Sequence, residues 1–343
     1  MKKCFVSILL TGALLCSMTG CGQNASTDTG TVQQDALQSG KEKGQIHIRL
    51  GIGANAESSL GKGAQYMCDK VEEYSNGEIT MELFADSLLG GDRDMIEGVS
   101  LGTIEMCNVA TGTVGNFSDA FFVLDMPYVV TDRQTAYDAL DGDTGRNILN
   151  TLNNTGIYGL SFWELGYRQL FTTNKIVSSP SDLKGLKIRV MENDLHIALW
   201  NGMGAYATPM SVSEVFTALQ QGTIDAMENP IGPILTGKYY EAAPNCILTN
   251  HIYSATVNMI NKDLYDSLTD EQRGILKRAD AEARAYERQL VQEEDLSAIE
   301  EWKAAGGTVT EVNIDEWQDA AGFIFDDFSD KIDMNVVNAL RGE

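Results

Sequence analysis

Two hydrophobic periods alternate along the chain, and this alternation constrains the fold more than any other feature. Ile46 to Ile52 switches between apolar and polar residues, as a strand with one buried face does. From about Ser58 to Tyr74 the residues Tyr66, Met67, Val71 and Tyr74 fall at helical spacing, with Gly77 placed as a C-terminal cap. Ile79 to Phe84 is the next strand, a short helix over about Asp92 to Leu101 stops at Gly102, and Thr103 to Val109 forms a third strand. Strand, helix, strand, helix, strand predicts an α/β sheet.

The same order returns later. Leu186 to Met191 reads as a strand and Asp194 to Asn201 as a helix. Ser211 and Glu214 are spaced as a capping box, after which Val215, Phe216 and Leu219 turn inward until Gly222 ends the helix. Gly102-Thr103-Ile104-Glu105-Met106 and Gly222-Thr223-Ile224-Asp225-Ala226 match as a helix-stopping glycine feeding a strand. Two similarly built lobes would show this match, and so would shared helix–glycine–strand grammar alone. Thr269 to Gln272 is a further capping box, and neither Gly nor Pro occurs between Gly274 and Gly306. Ile275, Ala279, Ala283, Tyr286 and Leu290 keep an apolar stripe along it, over about 50 Å if unbroken. Such a helix serves either as a strut across two lobes or as a C-terminal docking helix.

The first residues stand apart from this pattern. Met1-Lys2-Lys3 precedes an apolar run from Phe5 to Leu15 that ends in small residues, the layout of a secretory signal peptide. It is shorter than the roughly 20 apolar residues a membrane span takes. Met18-Thr19-Gly20-Cys21 resembles a bacterial lipobox, in which the cysteine becomes the lipidated N-terminus; an ordinary cleavage site that contains a cysteine is the alternative. Gly22 to Gly44 is rich in Ser, Thr, Gln, Gly and Asp and reads as a flexible leash. Residues 1–20 are thus expected to leave as the signal, and residues 21–45 to link lipid and fold.

Composition excludes several function classes. A formal charge of −24 rules out nucleic-acid binding on electrostatic grounds. It leaves room for an anionic ligand, because screening over about 8 Å lets a few local arginines dominate a cleft. Beyond the leader only Cys68, Cys107 and Cys246 remain, without metal-binding spacing, so buried thiols are expected. The three histidines, His47, His196 and His251, lack a zinc pattern, and no GxSxG elbow, phosphate loop or dinucleotide fingerprint occurs. A binding protein without cofactor or metal is expected, not an enzyme.

The segment from Trp163 to Pro233 carries the chemistry. Ser179-Pro180-Ser181-Asp182 caps a turn, and Leu186-Lys187-Ile188-Arg189-Val190 then runs as a strand. An arginine between Ile188 and Val190 sits where burial is expected, and a buried guanidinium is expensive without an anionic partner. Its planar fork suits bidentate carboxylate binding. Either a ligand carboxylate or a salt bridge to one of the chain's own acids meets that need.

Trp163-x4-Tyr167-Arg168-x2-Phe171-Thr172-Thr173-Asn174, the Ser179 to Val190 segment, Thr208-Pro209-Met210-x2-Ser213-Glu214-Val215-Phe216 and Asp225-x2-Glu228-Asn229-Pro230 resemble the solute-binding subunits of tripartite ATP-independent (TRAP) transporters. Leu89-Gly90-Gly91-Asp92-Arg93 and Thr249-Asn250-His251 fit the same pattern, so the resemblance spans from about Ile46 to the C-terminus.

The resemblance implies a two-lobe α/β fold like that of periplasmic binding proteins, with the ligand cleft between lobes and a long helix spanning both. Lobe I is expected over 46–166 plus 253–295, and lobe II over 167–252 plus 296–343. It implies capture of a small organic acid and delivery to TRAP membrane permease subunits driven by an ion gradient, while the lipobox-like segment adds the lipid bilayer as a partner through Cys21. Arg189 corresponds to the main carboxylate clamp, Arg168 and Asn229 to further contacts, and Asp92 and Arg93 to polar contacts of some members. Asn55, Glu57, Asn108, Thr111 and Trp163 are candidates to read ligand hydroxyls or stack on them. Ala110 and Val212 stand where sialic-acid-binding members carry a glutamate and an aromatic, which counts against sialic acid. A sugar acid such as a uronate or aldonate is expected, with a C4-dicarboxylate or a sensing role beside a membrane signalling protein as alternatives.

Overall fold

The computed structural model describes residues 45–343. The signal segment, Cys21 and the leash lie outside the described residues. The strands are β1 (Ile46–Ile52), β2 (Ile79–Phe84), β3 (Met106–Ala110), β4 (Ile157–Thr172), β5 (Lys187–Val190), β6 (Tyr206–Pro209), β7 (Ala226–Pro230), β8 (Asn245–Leu248), β9 (Tyr253–Asn261) and β10 (Thr308–Glu311). They order as β2-β1-β3-β9-β4-β7-β5-β6, with β8 against β4 and β10 against β8. The order is palindromic in kind. On each side a parallel trio, β2-β1-β3 or β6-β5-β7, meets an antiparallel strand.

The repeated glycine motif survives in three dimensions. Gly102 and Gly222 both take left-handed backbone, at φ 74° and 69°. In each case the next two amides turn back onto one helical carbonyl, Gly98 or Ala218. The strands therefore start later than the sequence pattern predicts, at Met106 and Ala226, because those amides are already taken. Glu105, expected inside the third strand, instead receives Arg49 through Nε at 2.7 Å. A second expectation fails at Ser211, whose side chain makes no capping bond and lies 3.1 Å from the Ser213 hydroxyl.

Strand β4 joins the two sides. Up to Tyr167 it pairs with β9, and from Arg168 onward with β7. Its ladder shifts register at Gly159/Ser161 and at Glu164/Gly166, where Gly166 has φ 105°, a conformation costly for any residue with a Cβ. Every residue of β9 is buried, as expected of a strand covered on both faces.

The long helix is continuous from Asp270 to Ala304, 35 residues, and the Thr269–Gln272 capping box forms. Its first half packs Leu276, Ala279 and Ala283 into the core of Ile48, Leu50 and Val71. Further along, Ala298 and Trp302 enter a different core with Phe171, Val215 and Met227. One helix thus contributes to the cores on both sides of β4. It approaches the helix Ser59–Tyr74 closely at Gly63, where a Cβ would sit 2.6 Å from that of Glu287.

Candidate functional site

A cleft opens at the carboxyl ends of β1, β3, β5 and β7, where open α/β sheets place ligands. The cleft is partly open to solvent. Its polar lining includes Asp92, Asn108, Arg168, Arg189, Asn229 and Thr256.

Arg189 is held in β5 with only 4 % of its surface exposed. The strand is short and covered because Ile188 and Val190 face the core of Leu170, Leu183 and Trp200. Arg189 Nε and Nη2 both donate to the Met210 carbonyl, at 2.8 and 2.6 Å. No ion pair to a carboxylate forms among the described residues, so the salt-bridge alternative raised by its sequence position is not realised. Burial pushes the guanidinium down to about 10, with Arg168 adding to the fall and Glu228 opposing it. It keeps its charge at neutral pH, and it lines the cleft.

Arg168 differs. It sits in β4 with 1 % exposure and makes a bidentate pair with Glu228 of β7, whose Oε1 is 2.9 Å from Nη2 and whose Oε2 receives Nε. Nη2 also donates to the Glu228 carbonyl at 2.8 Å, and Nη1 to Ser254 at 3.2 Å. Behind this pair, His251 Nε2 lies 3.1 Å from Glu228 Oε2, and His196 Nε2 lies 3.3 Å from Asp125. Burial alone would raise the Glu228 carboxyl, but Arg168, His196 and His251 hold it well below the usual carboxylate range. Most of Arg168's charge is therefore answered inside the protein. What it offers the cleft is a fixed edge.

Asn229 lies one residue before Pro230 at the end of β7, paired with Gln169, and lines the cleft. Asp92 also lines it, near the Ala110 backbone, and burial raises its carboxyl to about 6 against the pull of Arg189. Ala110 and Val212 complete the wall.

The other sequence candidates are placed elsewhere. Arg93 points outward and pairs with Glu97 at 3.0 Å. Asn55 Oδ1 accepts the Glu57 amide at 2.7 Å, shaping the loop before the helix, and Glu57 itself is exposed. Thr111 is buried with its hydroxyl on the Ala255 carbonyl at 3.1 Å. Trp163 is 1 % exposed, and its indole N–H reaches Asp280 at 3.0 Å. None of these five lines the cleft. Thr256 does, and sequence reasoning missed it. Nothing in Tyr253-Ser254-Ala255-Thr256 distinguishes it from a solvent-facing strand residue.

Comparison with known proteins agrees with the architecture. Residues 50–331 match the bacterial extracellular solute-binding protein family 7. The 2,3-diketo-L-gulonate-binding periplasmic protein YiaO of Escherichia coli strain K12 is 34% identical over 276 residues, covering 80% of this chain and 84% of its own. A TRAP periplasmic solute-binding protein of Polaromonas sp. JS666, solved with D-erythronate, superposes with a TM-score of 0.84 at 32% identity, covering 87% of this chain and 98% of that one. The sugar acid-binding protein DctPAm of Advenella mimigardefordensis, solved with galactonate, gives a TM-score of 0.84 at 29% identity over 88% and 98% of the two chains. With its palindromic sheet, its long shared helix and a match across most of its length, this chain belongs to bacterial extracellular solute-binding protein family 7, the non-catalytic solute receptors of TRAP transporters.

Proposed function

We propose that the protein captures a small organic carboxylate, a sugar acid such as an aldonate or uronate, and delivers it to ion-gradient-driven TRAP membrane subunits. The observation that carries this reading is the contrast between the two cleft arginines. Arg189 is buried, charged and bonded only to a carbonyl, whereas Arg168 is already paired with Glu228. A ligand carboxylate on Arg189 gives the missing counter-charge in a site largely removed from water, where a charge-assisted pair contributes more than at a surface. Asn229 completes the grip from β7. The sugar acids bound by the Polaromonas and Advenella relatives support the choice of ligand class.

In this reading residues 46–166 plus 253–295 and residues 167–252 plus 296–343 act as two lobes that close on the acid by hinge motion. Cys21 tethers the receptor at the outer face of the cytoplasmic membrane. Loss of metabolic lipid labelling in Cys21→Ser checks the tether, and label retained in that variant would refute it.

A thermal-shift screen of organic acids tests the ligand class. Aldonates and uronates are expected to raise the melting temperature, with about 2.7 kcal/mol of stabilisation at a hundredfold excess over Kd. Stabilisation by uncharged sugars alone would overturn the carboxylate reading.

A further inference from the structure

Deep in the cleft, two polar side chains have no protein partner. Asn108 of β3 is 1 % exposed and Thr256 of β9 is fully buried, and both line the cleft. The Asn108 amide nitrogen, its oxygen and the Thr256 hydroxyl all lack a hydrogen-bond partner among the described residues. Because both ends of the amide are unpaired, the finding does not depend on which way the amide is turned.

Register puts these groups together. In the antiparallel β3–β9 pair, Asn108 faces Asn258 and Ala110 faces Thr256. Asn108 and Thr256 are therefore diagonal neighbours on one face of the sheet, about 7–8 Å apart. Further along that face the polar groups are partly used: Asn258 Nδ2 donates to Asp280 at 2.8 Å, a carboxylate that also takes the Trp163 indole, while the Asn258 oxygen has no partner among the described residues. At the cleft end, by contrast, neither end of the Asn108 amide nor the Thr256 hydroxyl has a partner among the described residues, and the small Ala110 lies beside them in the cleft wall.

We propose that Asn108 and Thr256 form a hydroxyl-recognising subsite that selects polyhydroxy acids over dicarboxylates. This rests on the reading that the cleft binds a carboxylate at Arg189. The selectivity follows from hydrogen-bond type. The pair presents two N–H donors, one amide acceptor, and a hydroxyl that both donates and accepts. Adjacent ligand hydroxyls also donate and accept, so they satisfy every group. An ionised second carboxylate only accepts and leaves the Asn108 oxygen without a donor, and a site built for hydroxyls rejects a ligand lacking them. Asp92 and Glu192 line the same cleft, where they accept from hydroxyls and repel a second carboxylate.

Calorimetric titration of the purified protein with erythronate, butyrate and succinate tests the subsite, since the three acids share a four-carbon chain. Wild type is expected to bind erythronate at least about 10-fold more tightly than either of the others. Thr256→Val and Asn108→Leu are expected to weaken erythronate by about 10- to 100-fold while butyrate stays within about threefold, and Thr256→Ser to keep the wild-type margin. Equal weakening of all three acids, unchanged erythronate binding, or a wild-type preference for succinate would overturn the subsite while leaving the carboxylate clamp intact. If the variants do not fold, the wild-type series decides alone: no margin for erythronate overturns the subsite. A wild type that binds no organic acid, galactonate included, overturns the carboxylate reading and the subsite with it.

Discussion

Arg189→Met is expected to weaken binding of a sugar acid by about 100-fold or more while leaving the melting temperature of the unliganded protein nearly unchanged. Two effects on the unliganded fold oppose one another. The substitution relieves a guanidinium that burial has already pushed down to about 10, and it removes two hydrogen bonds to the Met210 carbonyl. Relief of a desolvated charge and loss of a hydrogen-bonded carbonyl are each on the order of 1–3 kcal/mol. In the complex no such balance exists, because the ligand carboxylate is left buried without its counter-ion, at a cost of about 2–5 kcal/mol. Titration of both proteins with galactonate, beside melting curves without ligand, separates the two terms. Affinity within threefold of wild type would remove Arg189 from the site.

Glu228→Gln is expected to do the reverse, destabilising the fold whether or not ligand is present. The carboxylate is fully buried and answers Arg168, with His251 at 3.1 Å. Breaking such a pair from one side costs about 3–5 kcal/mol, which lowers the melting temperature by about 5–10 °C in a domain of this size. The pH dependence follows from the direction of the Glu228 shift. Its folded pKa lies well below the ordinary value, so its contribution is complete above the unfolded value of about 4.3 and is lost as pH falls through the folded one. The gap between wild type and Glu228→Gln should therefore be widest near neutrality and should close in acid. His196 and His251 face the same carboxylate and shift in opposite senses, so the His196 contribution is lost as pH rises and that of His251 as pH falls below about 6.5; the Glu228 effect is therefore read from the further change below about 4.3. A gap that stayed constant down to pH 3 would mean the ion pair is not the source.

The two arginines show how far the sequence is legible. Arg189 stands out because Ile188 and Val190 mark its strand as covered, and a charge between them needs an explanation. Whether its partner is a ligand or a neighbouring acid is not a local property. It depends on the tertiary placement that gives the guanidinium the Met210 carbonyl as its bonded neighbour. The Arg168–Glu228 pair depends on β4–β7 register, which places Leu170 opposite Glu228. No local pattern encodes that alignment. Strands β4 and β9 were themselves hard to read, since Glu164, Arg168, Gln169, Ser254, Thr256 and Asn258 are all buried polar residues. Their polarity imitates an exposed strand, and the two register shifts in β4 interrupt its alternation. The long helix and the glycine motifs were legible because capping and left-handed backbone are decided within a few residues.

The palindromic strand order bears on how the chain assembles as it emerges from a membrane. Strand β3 gains its second neighbour only when β9 arrives, and the Thr111 hydroxyl finds the Ala255 carbonyl 144 residues further on. Until then the β3 edge stays open to any other strand, the kind of surface on which chains aggregate. Such long-range closure slows folding, since loop entropy is lost before the contacts that compensate it form. The receptor becomes competent only after most of its length has been translocated. Chaperoning at the membrane surface would thus matter most in the interval between the exit of β3 and that of β9.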